Sequence, residues 1–394
     1  MSRRGRRILW AMILLGVVVR VVLAFTTFGD HFDIGSEQMV ARQLRSGHPL
    51  SLYTTVNAGL LRWPYPSGYF PWLLFSQEIE FHTPLPFESV VQLLPIAADA
   101  ALAWVVQAYL GDRGAGERAR LGAAALIALG PSLALVSGWG GQLDSVAILP
   151  AALALLLWER LPRDRRALAA GLLIGLGAAV KSVPIVLLLA LLPTVSNRRE
   201  ALVLVSAAVV VPLVTIAPWL AAEPHATLRA LRYNGLPGYG GLTLLVQPDL
   251  ALALLVKGHA VGLNGAQSVL HDARTLITGG ALVAVFVYLL RRRPEPAKGA
   301  VIVWLVVYVF GLNFGPRYVL WALPFMLMAG YLWEALLLQA VAFPAGLIVA
   351  TTPHEATWLG TVYAAMMLGL LAAFAAWLAF LATRTPPALP PGTT

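Results

Sequence analysis

The chain has no cysteine. That excludes disulfides, thiolate metal ligands and thiol catalysis. Charge is scarce: Asp, Glu, Lys and Arg make up 12% of 394 residues, against 59% hydrophobic. A soluble domain carries about twice that share of charge, so a soluble globular fold is excluded. There are only seven histidines, with no H-x-x-x-H spacing, and no P-loop or GxGxxG. A nucleotide-using cytoplasmic enzyme therefore finds no support, and no metal or other cofactor is predicted. The basic start and first apolar run lack a small-residue cleavage site, so an uncleaved first helix is expected.

What remains is apolar sequence cut by short basic clusters. The net charge of +9 would suit nucleic acid, but these clusters lie between apolar runs, as in cytoplasmic loops facing anionic lipid. No nucleic-acid partner is expected; membrane lipids are. The pattern predicts an all-α polytopic membrane protein of about twelve transmembrane helices, several short or broken. Spans are expected near 8–28, 89–110, 120–136, 145–158, 201–220, 273–290, 299–312, 318–333, 335–351 and 358–382. Residues 167–193, interrupted by Lys181 and Pro184, read as a hairpin of two short helices. Residues 242–256, interrupted by Pro248 and Asp249, read as interfacial or re-entrant. The whole forms one membrane domain, 1–394, with both termini cytoplasmic, two long external loops at 29–87 and 221–272, and a disordered tail at 383–394. The expected location is a prokaryotic cell membrane.

This topology puts the unusual polar residues on one face. The first loop opens GDHFDIGSEQMVARQLRSGHPLSLY, with an amphipathic helix expected at 34–44. Asp30 and Asp33 would share a helical face, and a carboxylate at the membrane lip can take a proton from a hydroxyl. Either could instead cap the helix. Prolines 64, 66 and 71 forbid a regular helix in RWPYPSGYFPW, whose aromatic residues suit the headgroup level. Gln142 and Asp144, in SGWGGQLDS, could hold a substrate-bearing loop, or Asp144 could cap the fourth span. Lys181 could hold a lipid phosphate or snorkel to the interface. Arg317, with Tyr318 and Trp321 behind it, could grip a phosphate through two parallel bonds or serve as a belt anchor. Arg62, Arg232, His31, His82 and His225 are weaker contacts. Arg20 and Asp99 fall at similar depth inside neighbouring spans and are expected to pair.

Four stretches together resemble the GT-C class of integral-membrane glycosyltransferases. They are an arginine late in span one followed by FDIGSEQMVARQLRSGHPLSLY and Tyr65-Pro66; an aspartate in mid-span two, Asp99; WGGQLDS, with one glycine more than the class pattern; and KSVP after a Gly/Ala-rich helix. Ser67 stands where the class has a second proline. The resemblance implies a polyprenyl-phosphate sugar donor, mannose first, and a lipid or glycan acceptor. It makes Asp33 the catalytic carboxylate with Asp30 a possible partner; Arg317 and Lys181 are the cations expected to offset the phosphate charge. Gln142, Asp144, Tyr65, Arg62, His31 and Tyr318 complete the expected substrate contacts. The competing reading is a transporter or lipid flippase, which broken helices would also suit.

Overall fold

The computed structural model describes residues 1–58, 62–233, 235–255, 261–351 and 357–384, and all its regular elements are helical. Thirteen helices organise the described chain: α1 (Arg3–Thr27), α2 (His31–Arg45), α3 (Phe70–His82), α4 (Phe87–Asp112), α5 (Glu117–Ala128), α6 (Asp144–Arg160), α7 (Arg163–Val180), α8 (Arg198–Ala222), α9 (Pro224–Leu231), α10 (Gly265–Arg292), α11 (Pro296–Phe310), α12 (Leu332–Thr351) and α13 (Thr357–Arg384). Shorter turns join them. Among the described residues, seven helical segments are long and apolar enough to cross a membrane: α1, α4, α5 continued to Trp139, α8, α10, α12 and α13. The other expected spans are short or broken. They are α6, α7, α11 and the interrupted segments Val183–Thr194 and Tyr318–Met328.

The chain divides into two compact units. One holds Met1–Leu188 with Ser196–Tyr233, and the other holds Leu189–Val195 with Asn234–Thr394. In the first unit, α1 shows Trp10, Leu14, Leu15, Val18 and Val22 on its outside, an apolar face suited to lipid. Its inward side carries Arg20. The guanidinium donates from Nε to Asp99 Oδ2 of α4 at 3.1 Å, and from its other nitrogens to the carbonyls of Gly16, Ile127 and Ala128. Asp99 also accepts from Ser137 and Ser145. The expected pair is therefore present, and it does more than neutralise two charges. Arg20 satisfies the open carbonyls at the end of α5, while Asp99 holds both flanks of the turn between α5 and α6.

That turn is irregular. After Gly130-Pro131 the chain widens into a π-helix, Ala134–Trp139, an element common at functional sites. Helices α7 and α8 approach through small residues: a Cβ on Gly171 would meet Leu204 O at 2.5 Å. Such small-residue seams let membrane helices pack backbone to backbone.

Two local expectations are corrected. Pro71 does not prevent a helix; it lies in the first turn of α3, where a missing N–H costs nothing. Asp144 does not cap α6: Leu143 holds the N-cap position and Asp144 is in the first turn. In the second unit, residues 242–255 form two short helices, Leu242–Val246 and Leu250–Leu255. Val256 lies outside the described residues, as does the expected tail beyond Arg384.

Candidate active site

α1 stops because Phe28 and Gly29 both adopt positive φ, 58° and 81°. The chain reverses and Asp30 caps α2, accepting from the N–H groups of Phe32 (2.8 Å) and Asp33 (3.1 Å). Of the two acids, Asp30 thus serves as the helix cap. Asp33, in the first turn, is half-buried, and His31 is exposed. Next to Asp33, Ile34 turns inward, 2% exposed.

Ile34 meets the glycine-rich turn. Gly141 has φ +65°, and a Cβ there would collide with Ile34 Cδ1. Gly141 is thus the point where α2 rests on the turn before α6. Gly141→Ala would combine left-handed strain of about 1–2 kcal/mol with a displaced α2. The expected result is a lower melting temperature and reduced turnover, measured on the purified variant.

The same turn leads to Asp144, which accepts from Lys181 Nζ at 2.6 Å; both side chains are 6% exposed. Lys181 ends α7 in extended backbone, so its side chain turns back toward α6. Its Nζ also stands 4.9 Å from the Tyr65 ring centroid, a cation–π distance. The loop that bears Tyr65 is firmly held. Tyr53 donates its hydroxyl to Tyr65 O at 2.8 Å, Trp63 packs edge-on against Tyr65, and Trp63 N donates to Asn57 Oδ1 at 3.0 Å. Burial pushes the Tyr53 hydroxyl well above its ordinary titration range, so it stays a neutral donor. Ile34, Tyr53, Trp63, Leu143 and Val180 belong to one buried apolar cluster. This cluster brings the helix of Asp33, the GQLD turn and the end of α7 into one wall.

Of the residues singled out from the sequence, Asp144, Lys181 and Tyr65 are in direct contact, with Asp33 one residue from Ile34 of the same cluster. Gln142 is buried in the turn, its N–H donating to Val136 O at 3.0 Å. Arg62 is exposed, its guanidinium 5.9 Å from the Tyr233 ring. Arg317 and Tyr318 belong to the second unit, where Arg317 lies 5.8 Å from the Tyr318 ring. There the residues just after the GLPGYGG stretch are zipped to the chain before Arg317. Leu242 N donates to Gly311 O and Thr243 N to Leu312 O, each 3.1 Å, and Thr243 Oγ1 donates to Asn313 Oδ1 at 2.7 Å. Gly241, at φ +75°, permits this approach: a Cβ there would lie 2.6 Å from the carbonyl oxygens of Gly311 and Leu312.

Sequence reasoning passed over Glu37. It is 3% exposed and its Oε2 has no hydrogen-bond partner. Burial, and then the charge of Asp33, push its carboxyl well above the usual range. The signal was available: Glu37 interrupts the apolar stripe 34, 37, 41, 44 of α2.

A membrane-embedded helical protein with a carboxylate-bearing helix leaning on a glycine turn, and a lysine–aspartate pair beside it, is the class defined so far. The model of glycosyltransferase family 87 matches residues 81–316, more than half of the chain, and the protein belongs to that family. No curated protein matches. Among solved structures, the crystal structure of ArnT from Cupriavidus metallidurans in the apo state is similar at 15% identity. That match covers 95% of this chain and 77% of that one, with a TM-score of 0.47.

Proposed function

We propose that the protein moves a sugar, mannose in the first instance, from a polyprenyl-phosphate carrier to a lipid or glycan acceptor at the external membrane face. Asp33 is the base. It takes the proton of the acceptor hydroxyl as that oxygen bonds to the anomeric carbon. The bond from that carbon to the carrier's phosphate oxygen breaks, and the lipid phosphate leaves with the electron pair. A single displacement inverts the anomeric centre. One carboxylate suffices, because the phosphate leaves without strong acid help.

The observation that carries this reading is Asp33 itself: a half-buried carboxylate in the first turn of a helix, beside a buried wall, in a glycosyltransferase family member. Lys181, held between Asp144 and Tyr65, is proposed to add positive potential for the donor's phosphate, and Arg317 to grip phosphate oxygens directly. Gln142, Asp144, Tyr65, Tyr318, Arg62 and His31 are proposed as further substrate contacts, and Asp30 as the group that orients Asp33 by capping its helix.

The test is incubation of membranes containing the protein with labelled polyprenyl-phosphate mannose. A labelled lipid or glycan product of inverted configuration is expected. Carrier translocation with no covalent product would overturn the reading.

A further inference from the structure

Helix α2 turns Ile34, Val40 and Ala41 inward, and Leu44 packs on the same cluster. Glu37 sits in the middle of that stripe. Asp33 lies four residues earlier, one turn away on the same side of the helix. The elements packed against α2 supply Tyr53, Glu78, Glu80, His82 and Glu88, with Tyr69 just before α3 and His48 just before the Pro49–Ser51 turn; His82 stands 3.6 Å from Glu78. Glu80 is taken up by Gln38 and by the Phe87 N–H, both at 3.4 Å, and Glu78 by Arg45 at 3.0 Å. Tyr69 donates its hydroxyl to Val91 O at 3.3 Å, and its own titration is pushed up by burial and by Glu37. Thus, among the described residues, no ion pair of these elements brings a cation to Glu37. An ionised carboxylate buried in such a wall without a partner is costly, and the group keeps its proton instead.

We propose that Glu37 and Asp33 form a two-carboxyl unit that holds one proton at rest, carried by Glu37, so that Asp33 is the ionised member available to the acceptor. This rests on the reading of Asp33 as the base. Of these two acids one turn apart, Glu37 is the one buried without a partner, so its ionised form is both desolvated and set beside a like charge, and it keeps the proton. The site then meets an anionic lipid-linked donor with one negative charge instead of two. Glu37 is a positioning residue: it sets the charge behind the base and touches no substrate. When alkaline pH removes its proton, a second negative charge appears and donor binding weakens.

The experiment uses the full chain in lipid nanodiscs. Infrared spectra at neutral pH are expected to show a protonated-carboxyl band that Glu37→Gln loses and Asp33→Asn keeps. In the wild type, KM for the lipid-linked donor is expected to rise roughly tenfold toward alkaline pH, a factor worth about 1.4 kcal/mol. In Glu37→Gln, which is neutral at every pH, KM is expected to stay level. Glu37→Met supplies a readout independent of activity. A carboxyl whose folded-state pKa is raised favours the fold below its unfolded value, near pH 4.3, and loses that contribution as pH rises. The melting temperature of Glu37→Met, relative to wild type, should therefore climb with pH above about 4. Loss of the band in both Glu37 variants supports the proposal. An unchanged band in either variant, or the same KM profile in wild type and Glu37→Gln, overturns it. Full activity of Asp33→Asn would instead sink the proposed function, whatever the spectrum of Glu37.

Discussion

Asp33→Asn is expected to reduce sugar transfer by about 10²- to 10⁴-fold, the range contributed by a positioned general base. The substitution keeps size and shape. Asn also leaves the N-cap of α2 intact, because Asp30 supplies the side-chain acceptor for the Phe32 and Asp33 N–H groups. The fold and the resting place of Ile34 on Gly141 should therefore survive. On the proposed reading, what is lost is the basicity of the carboxylate, since an amide oxygen cannot take up the acceptor's proton. The loss should fall on kcat, since the interaction removed is made in the transition state, while KM for the anionic lipid-linked donor should fall, because a negative charge has also left the site. Asp30→Asn is the matched control: Asn caps a helix about as well as Asp, so it should cost far less. Initial rates with labelled donor, on both variants reconstituted in lipid, make the comparison. Equal losses in the two would move the base away from Asp33.

The second large effect concerns stability. Asp99→Ala removes the carboxylate that receives Arg20 Nε, Ser137 Oγ and Ser145 Oγ, in a place where Arg20 is 2% exposed. Leaving the partner of a buried ion pair uncompensated costs about 3–5 kcal/mol. Replacing both partners with apolar residues of similar volume, Arg20→Met with Asp99→Leu, should recover much of that loss, because the desolvated charge is then gone as well. Recovery should not be complete. Arg20 also satisfies the carbonyls of Ile127 and Ala128, and Asp99 holds the two serines that flank the GGQLD turn. Thermal unfolding of the three proteins in one detergent measures both steps. If the double variant melts no higher than Asp99→Ala, the pair's importance lies in its hydrogen bonds to the turn and not in its charge. Ser145→Ala then separates the two: it should lower turnover more than melting temperature, as it frees one flank of the turn that carries Asp144.

Much of this was legible in residues alone. Hydropathy and the placement of basic clusters gave the helical membrane class, because a spanning segment must satisfy its own backbone and can do so as a helix. The pairing of Arg20 with Asp99 followed from depth, since two charges in hydrocarbon must find each other. The amphipathic stretch after span one became α2 with its cap at Asp30, as its local chemistry requires. Less legible was α3: Pro71 looked like a breaker, though proline is as compatible with a helix's first turn as it is hostile to its middle. Lys181 and Asp144 looked like separate candidates, and their contact depends on α7 ending in extended backbone.

By itself, then, the sequence determined the class of solvent, the helices and most of the polar candidates, since transfer energies and caps act over a few residues. The tertiary structure alone decided which candidates meet. It seated Ile34 on Gly141, joined Lys181 to Asp144 and Tyr65, and buried Glu37 behind Asp33. Those contacts arise where helices distant in sequence pack, and no local propensity encodes the distance between them.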